Sequence, residues 1–259
     1  MIELYIFVTT DRPDQYLNPI VYRIEKGARR IVFVQVEDSR IEQIQLNLLK
    51  TNVYNLLQNL SAGCYKYYTG DSKDKIVQLD TEYNADDLAK LKARYCLCLT
   101  DGIDWTIERV PYLNLRRYIS ALSKRKNVVV DVTSVSKVYI GDIFACSLLE
   151  NIDKLYTFEV KPNFDKPWKT LIHELEEGKT YRYINLVETP VFKESNKSIL
   201  IRTTPLLVSV VGTVLFLFVA LAASFILGFS SVFIQVVSVI GTVLGIVSFF
   251  LVYFPVRGK

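Results

Sequence analysis

One histidine, His173, serves the whole chain of 259 residues, and only four thiols accompany it. That scarcity argues against a metal centre. His173 lies in "IHELEEGK", which is not the H-E-x-x-H of zinc hydrolases, and it reads as a surface helix residue. Cys96 and Cys98 form a C-x-C within "RYCLCLTD", which would put both on one face of a strand. No second closely spaced cysteine pair follows. With Cys64 and Cys146 they read as small hydrophobes of a reducing compartment, and no metal is expected. Also missing are the Walker A loop, the dinucleotide G-x-G-x-x-G and the G-x-S-x-G nucleophile elbow. There is no internal repeat and no low-complexity segment. The first apolar stretch, "IELYIFVTT", carries Glu3 and is too short for a signal peptide.

Charge is missing where it matters most. From Thr203 to Val256 there is no charged residue. Arg257 and Lys259 lie beyond that run, so residues 1–202 hold 31 − 2 = 29 basic and all 27 acidic residues, a net of only +2. Such a balance excludes a field for gripping long nucleic acid non-specifically. The mean hydropathy of +0.21 comes largely from the uncharged run.

That run is long enough to cross a bilayer twice. It divides at "LGFSS", giving expected helices over 205–227 and 232–254, each about 23 residues and roughly 34 Å long. Lys193, Lys197 and Arg202 precede it, and the turn carries no charge. The positive-inside bias then places both termini in the cytoplasm of a two-pass inner-membrane protein. Gly212, Gly241 and Gly245 are the expected close-packing positions, the last two as G-x-x-x-G. Gln235 is the one strongly polar side chain within the run.

Residues 1–195 alternate strand and helix patterns, with 196–204 as a juxtamembrane linker. Expected strands are 2–10, 28–38, 75–80, 94–102, 128–134, 154–160 and 181–192. Expected helices are the stretch from Asp14 to Gly27, 39–63, 84–93 capped by Asn84, 111–127 opened by Pro111, and 138–152. The segment 161–180 reads as a loop packed on the domain. This is an α/β, Rossmann-like domain with a mostly parallel sheet, followed by a helical transmembrane hairpin. Ligands of such sheets bind beyond the carboxyl ends of the strands. The loops to inspect are therefore "VTTDRPDQ", "VEDSR", "LTDGIDW" and "DVTSVSK", of which the first and last offer the candidate residues. The first offers Thr9, Thr10 and Asp11. The last offers Asp131, Thr133, Ser134, Ser136 and Lys137 at a helix start, where backbone N–H groups favour anions.

"DVTSVSK" resembles the D-x-T-G-G-x-K motif of CARF domains, the CRISPR-associated Rossmann-fold sensors. Asp131, Thr133 and Lys137 match, while Ser134 and Val135 stand in place of the two glycines. The resemblance implies a homodimer or higher oligomer that binds a cyclic oligonucleotide, above all cyclic oligoadenylate, with no cofactor. Some CARF-like proteins carry transmembrane effectors, and the uncharged run fits that role. The expected function is a membrane-anchored, non-enzymatic effector that forms a pore or disrupts the membrane in prokaryotic antiviral defence. The alternatives are a membrane-anchored nucleotide hydrolase or ring nuclease, using acids such as Asp11, Asp38, Asp101, Asp104 or Asp131, and a plain membrane anchor for a protein partner.

Overall fold

The computed structural model describes residues 1–40, 42–68, 70–161 and 165–194, then 211–212, 214–216, 218–219, 222 and 232–253. Met1–Lys193 forms one compact unit and Glu194–Lys259 another.

In chain order, the first unit runs β1 (Ile2–Phe7), α1 (Asp14–Glu25), β2 (Ala28–Glu37), α2 (Leu46–Ala62), β3 (Cys64–Lys66), β4 (Ile76–Gln78) and α3 (Ala85–Leu97). It continues with β5 (Asp104–Pro111), α4 (Leu115–Ser123), β6 (Val128–Asp131), α5 (Lys137–Leu149), β7 (Leu155–Val160) and β8 (Tyr181–Asn185). Six strands make one sheet in the order β5-β2-β1-β6-β7-β8, and β3 pairs with β4 in a separate antiparallel hairpin. All pairings in the large sheet are parallel except β7 with β8. Counted along the large sheet alone, this is the doubly wound order 3-2-1-4-5-6, whose switch point falls between β1 and β6.

The alternation of side chains builds two cores. Leu4 and Ile6 of β1 and Val129 of β6 face one layer with α1, α2 and α3. Tyr5, Phe7, Val130 and Val132 face the other with α4 and α5. Both faces of the central strands are thus covered, which is why they read as continuous apolar runs. At the β5 edge, Glu108 and Arg109 interrupt the apolar pattern, as suits an edge strand.

Several boundaries differ from the sequence expectation. Residues 94–102 are not a strand: α3 runs on to Leu97, so Cys96 and Cys98 lie at a helix end. The strand expected there is β5, starting at Asp104. Pro111 closes that strand, and α4 begins only at Leu115. α2 begins at Leu46, leaving the preceding stretch non-helical, and it ends at Gly63, whose φ of +88° only glycine adopts readily. A Cβ there would run into the Lys92 side chain. Asn84 caps α3 as expected, its Oδ1 accepting from the Asp87 N–H at 2.8 Å. β8 stops at Asn185. His173 is not on a surface helix; it is wedged between Tyr95 Oη, 2.7 Å from Nδ1, and Tyr83 Oη, 3.2 Å from Nε2. The segment around Trp168 does pack on the domain, with Trp168 buried. Asn18 holds it, donating to Thr170 O and accepting from the Ile172 N–H, both at 2.8 Å.

In the second unit Val232–Tyr253 is a helix of 22 residues. The linker 196–204 and most of the 205–227 arm lie outside the described residues. Among the described residues no helix is long and apolar enough to cross a membrane. Gly241 does meet a close neighbour: a Cβ on it would sit 3.0 Å from Phe216 Cε1. Gly212 and Gly245 face open space, and Gln235 is exposed.

Candidate functional site

Two of the loops singled out in the sequence, "VTTDRPDQ" and "DVTSVSK", meet at the switch point, joined by the hydroxyl of Thr9. Its Oγ1 donates to Ser134 O and accepts from the Ser136 N–H, both at 2.8 Å. Ser134 Oγ donates to Gln15 O at 3.2 Å. Thr10 is fixed from below: its N–H donates to Tyr16 Oη at 3.1 Å, and Tyr16 donates back to Thr10 O at 2.8 Å. The loops are therefore preorganised, and much of their polarity is consumed in holding each other.

Asp131 and Thr133 point inward rather than to the rim. Asp131 is fully buried; its Oδ1 accepts from the Thr133 N–H at 3.0 Å and its Oδ2 from Tyr183 Oη at 2.8 Å. Desolvation pushes its pKa up to about 6, against the opposing pull of these hydrogen bonds and of the Arg23 cation. Thr133 Oγ1 accepts from the Phe158 N–H at 2.8 Å, pinning the loop to β7. The Arg23 guanidinium lies 3.9 Å from the Tyr156 ring centroid and 4.6 Å from that of Tyr183. In the structure Asp131 is a buried fold element, and Thr133, half-buried, spends its hydroxyl on β7. Ser136 caps α5, its Oγ accepting from the Val138 N–H at 3.3 Å, and Lys137 is exposed on the first turn.

The open space lies to the other side of Thr9. A cleft of about 790 Å³ is bounded by the β1–α1 loop, the non-helical stretch ahead of α2, α2 itself and the β3–β4 hairpin. Thr9, Thr10 and Asp11 line it, and so do Arg12, Gln45, Asn52, Lys66, Tyr68 and Lys73. The volume falls within the range of small-molecule sites. Its chemistry is mixed. Arg12, Lys66 and Lys73 face Asp11, Glu42 and Asp74, with Lys66 paired to Asp74 at 2.8 Å. Tyr68 donates to Asn52 O at 3.1 Å, and burial raises its pKa to about 12, so it stays a neutral donor and flat wall. Cations, amides and an aromatic face are what a nucleotide's phosphate, base edge and base plane require.

Sequence reasoning placed only Thr9, Thr10 and Asp11 at this cleft. The hairpin residues went unnoticed, although "YKYYTGDSKDK" alternates Lys66 and Tyr68 on one strand face ahead of a turn whose Gly70 has φ +74°. Of the other candidate acids, Asp38 is tied to Arg40 at 2.5 Å. Among the described residues no group of three His, Cys, Asp or Glu could hold a metal ion. No family model, curated protein or solved structure matches the chain.

Proposed function

We propose that this chain is a membrane-anchored sensor whose α/β unit binds a nucleotide-derived second messenger, of the cyclic oligonucleotide class, in the 790 Å³ cleft. The observation that carries the reading is the coincidence of that cleft with the predicted β1 loop at the carboxyl end of a doubly wound sheet. Binding there bears on Thr9, and through it on the loop that opens α5. The uncharged C-terminal run serves as a two-pass inner-membrane effector that forms a pore or disrupts the bilayer, in prokaryotic antiviral defence. Transmission requires that the messenger bind two arrangements of the chain with different affinity.

The reading calls for at least two copies, and α5 supports it. An apolar stripe along a helix is normally covered. Yet α5 leaves Val138, Ile140, Gly141, Ala145 and Leu149 exposed, and a Cβ on Gly141 would meet nothing within 4 Å. Ala145→Glu is expected to lower self-association of the full chain at least tenfold, since it places a carboxylate in the middle of an apolar contact. Analytical ultracentrifugation in detergent checks this, and an unchanged distribution overturns the role of α5.

The function itself is tested with the full chain in detergent. Cyclic di-, tri-, tetra- and hexanucleotides are added separately and unfolding is followed. A ligand at about 100 times its Kd contributes about 2.7 kcal/mol, which at this size raises Tm by roughly 5–10 °C. Lys73→Ala is expected to remove most of the shift, whereas Lys137→Ala, off the cleft, removes less. No shift with any nucleotide sinks the reading. Turnover of the added nucleotide at catalytic rates favours a hydrolase instead.

A further inference from the structure

The opposite pole of the sheet, where the strands begin, concentrates the unit's positive charge. Around the starts of β1, β2, β5, β6 and β7 lie Arg29, Arg30, Lys124, Arg125, Lys126 and Lys154, against Glu3, Asp104 and Asp153. That is 6 − 3 = +3, while residues 1–193 carry 27 − 26 = +1, so the rest of the unit nets −2. The asymmetry is local and built. Asn127, at φ +65°, turns the Lys124–Lys126 loop back into β6, and its carbonyl accepts from the Glu3 N–H at 3.1 Å. Arg125 is braced by Tyr5 Oη at 2.6 Å. Lys124, Arg125, Lys126 and Lys154 surround an open depression of about 350 Å³ whose only acid is Asp153. The negative end of α4 accounts for a cation or two just after Ser123. It does not account for Lys154, which arrives from the α5–β7 connection, or for Arg29 at the start of β2.

We infer that this basic basin docks on the phosphate groups of an anionic lipid surface. Clusters of four or more Lys and Arg beside a membrane anchor bind such surfaces through summed Coulomb attraction. The inference rests on the membrane reading above, but not on the messenger cleft, which lies at the other pole. Docking would hold the sensing unit by its strand starts and leave the carboxyl-end cleft open to solvent.

The test uses the full chain in lipid nanodiscs of neutral phosphatidylcholine alone or with about one-third phosphatidylserine. Amide hydrogen exchange is read by mass spectrometry. In anionic discs, peptides covering 123–128 and 152–155 are expected to exchange about tenfold more slowly than in neutral discs. High salt restores the faster rate, and a Lys126→Glu/Lys154→Glu double variant shows no lipid dependence. Both positions are exposed, and the variant's Tm in neutral discs reports that it is folded. Equal exchange in the two discs overturns the inference while leaving the membrane reading intact. Protection by inorganic triphosphate or an RNA oligonucleotide in neutral discs, without protection by anionic lipid, overturns it in favour of a soluble polyanion. A chain that fails to enter either disc overturns the membrane reading and this inference together.

Discussion

Acidification from pH 7.5 to 5 is expected to leave the parent chain's stability within about 1 kcal/mol of its starting value and to stabilise the His173→Gln variant by about 1 kcal/mol. Two groups oppose each other, the buried Asp131 and the half-buried His173. His173 is depressed to about 3 by desolvation and then by the Arg94 cation. Its unfolded value is near 6.5, so the unfolded chain takes up a proton that the folded one refuses. Stability is full above the unfolded value and falls as pH drops below it, by about 2 kcal/mol at pH 5. Asp131, raised to about 6, acts in the reverse sense. The folded state binds the proton more tightly than the unfolded state, whose value is near 4. Protonation therefore adds stability, fully present below pH 4 and lost as pH rises through 6, and worth about 1 kcal/mol at pH 5. In the parent the two effects largely offset each other. Removing the histidine exposes the aspartate's slope, and Asp131→Asn leaves a loss of about 2 kcal/mol from the histidine alone. Urea unfolding at the two pH values reads these differences, and a His173→Gln variant that loses stability on acidification contradicts the burial argument.

The same two residues show where sequence reading reached and where it stopped. The alternation of apolar segments was enough to recognise a mostly parallel α/β sheet, because β1, β2, β6 and β7 are runs covered on both faces. It failed at "RYCLCL", whose apolar density suggests a strand. Leu88, Leu91, Tyr95 and Cys98 there follow the 3.6-residue period of α3, and that spacing was the usable signal. β5 was hidden because an edge strand carries Glu108 and Arg109 among its apolar residues. The burial of Asp131 was not legible at all. Its partner Tyr183 is 52 positions away on β8, and only the folded sheet brings the phenol over the carboxylate. His173 was misplaced for the same reason, since Tyr83 and Tyr95 come to it from 90 and 78 positions away. The cleft was half legible: its β1 loop follows from the switch-point rule, whereas Lys66, Tyr68 and Lys73 arrive on a hairpin outside the main sheet.

Thr9→Val is expected to cost about 2 kcal/mol and to separate ligand binding from its consequences at α5. Valine keeps the shape of threonine but drops the hydroxyl, so the Ser136 N–H loses its acceptor and Ser134 O loses its donor in a partly buried junction. Each orphaned group costs about 1 kcal/mol, less where water reaches it. Thr9→Ser retains both bonds and is expected to lose well under half as much. The functional outcome is sharper than the stability change. The cleft's cations and Tyr68 are untouched by the substitution, so a messenger that shifts the parent's Tm should still shift that of Thr9→Val. The β6–α5 loop, however, has lost its tie to the ligand-bearing loop. Messenger-dependent slowing of hydrogen exchange over 133–140 should therefore fall by at least threefold in Thr9→Val and persist in Thr9→Ser. If exchange over 133–140 responds to the messenger equally in all three chains, the coupling runs by another route and the Thr9 junction is only a structural tie. If the valine variant binds no messenger, then Thr9 is itself a ligand contact, and its two hydrogen bonds must break on binding.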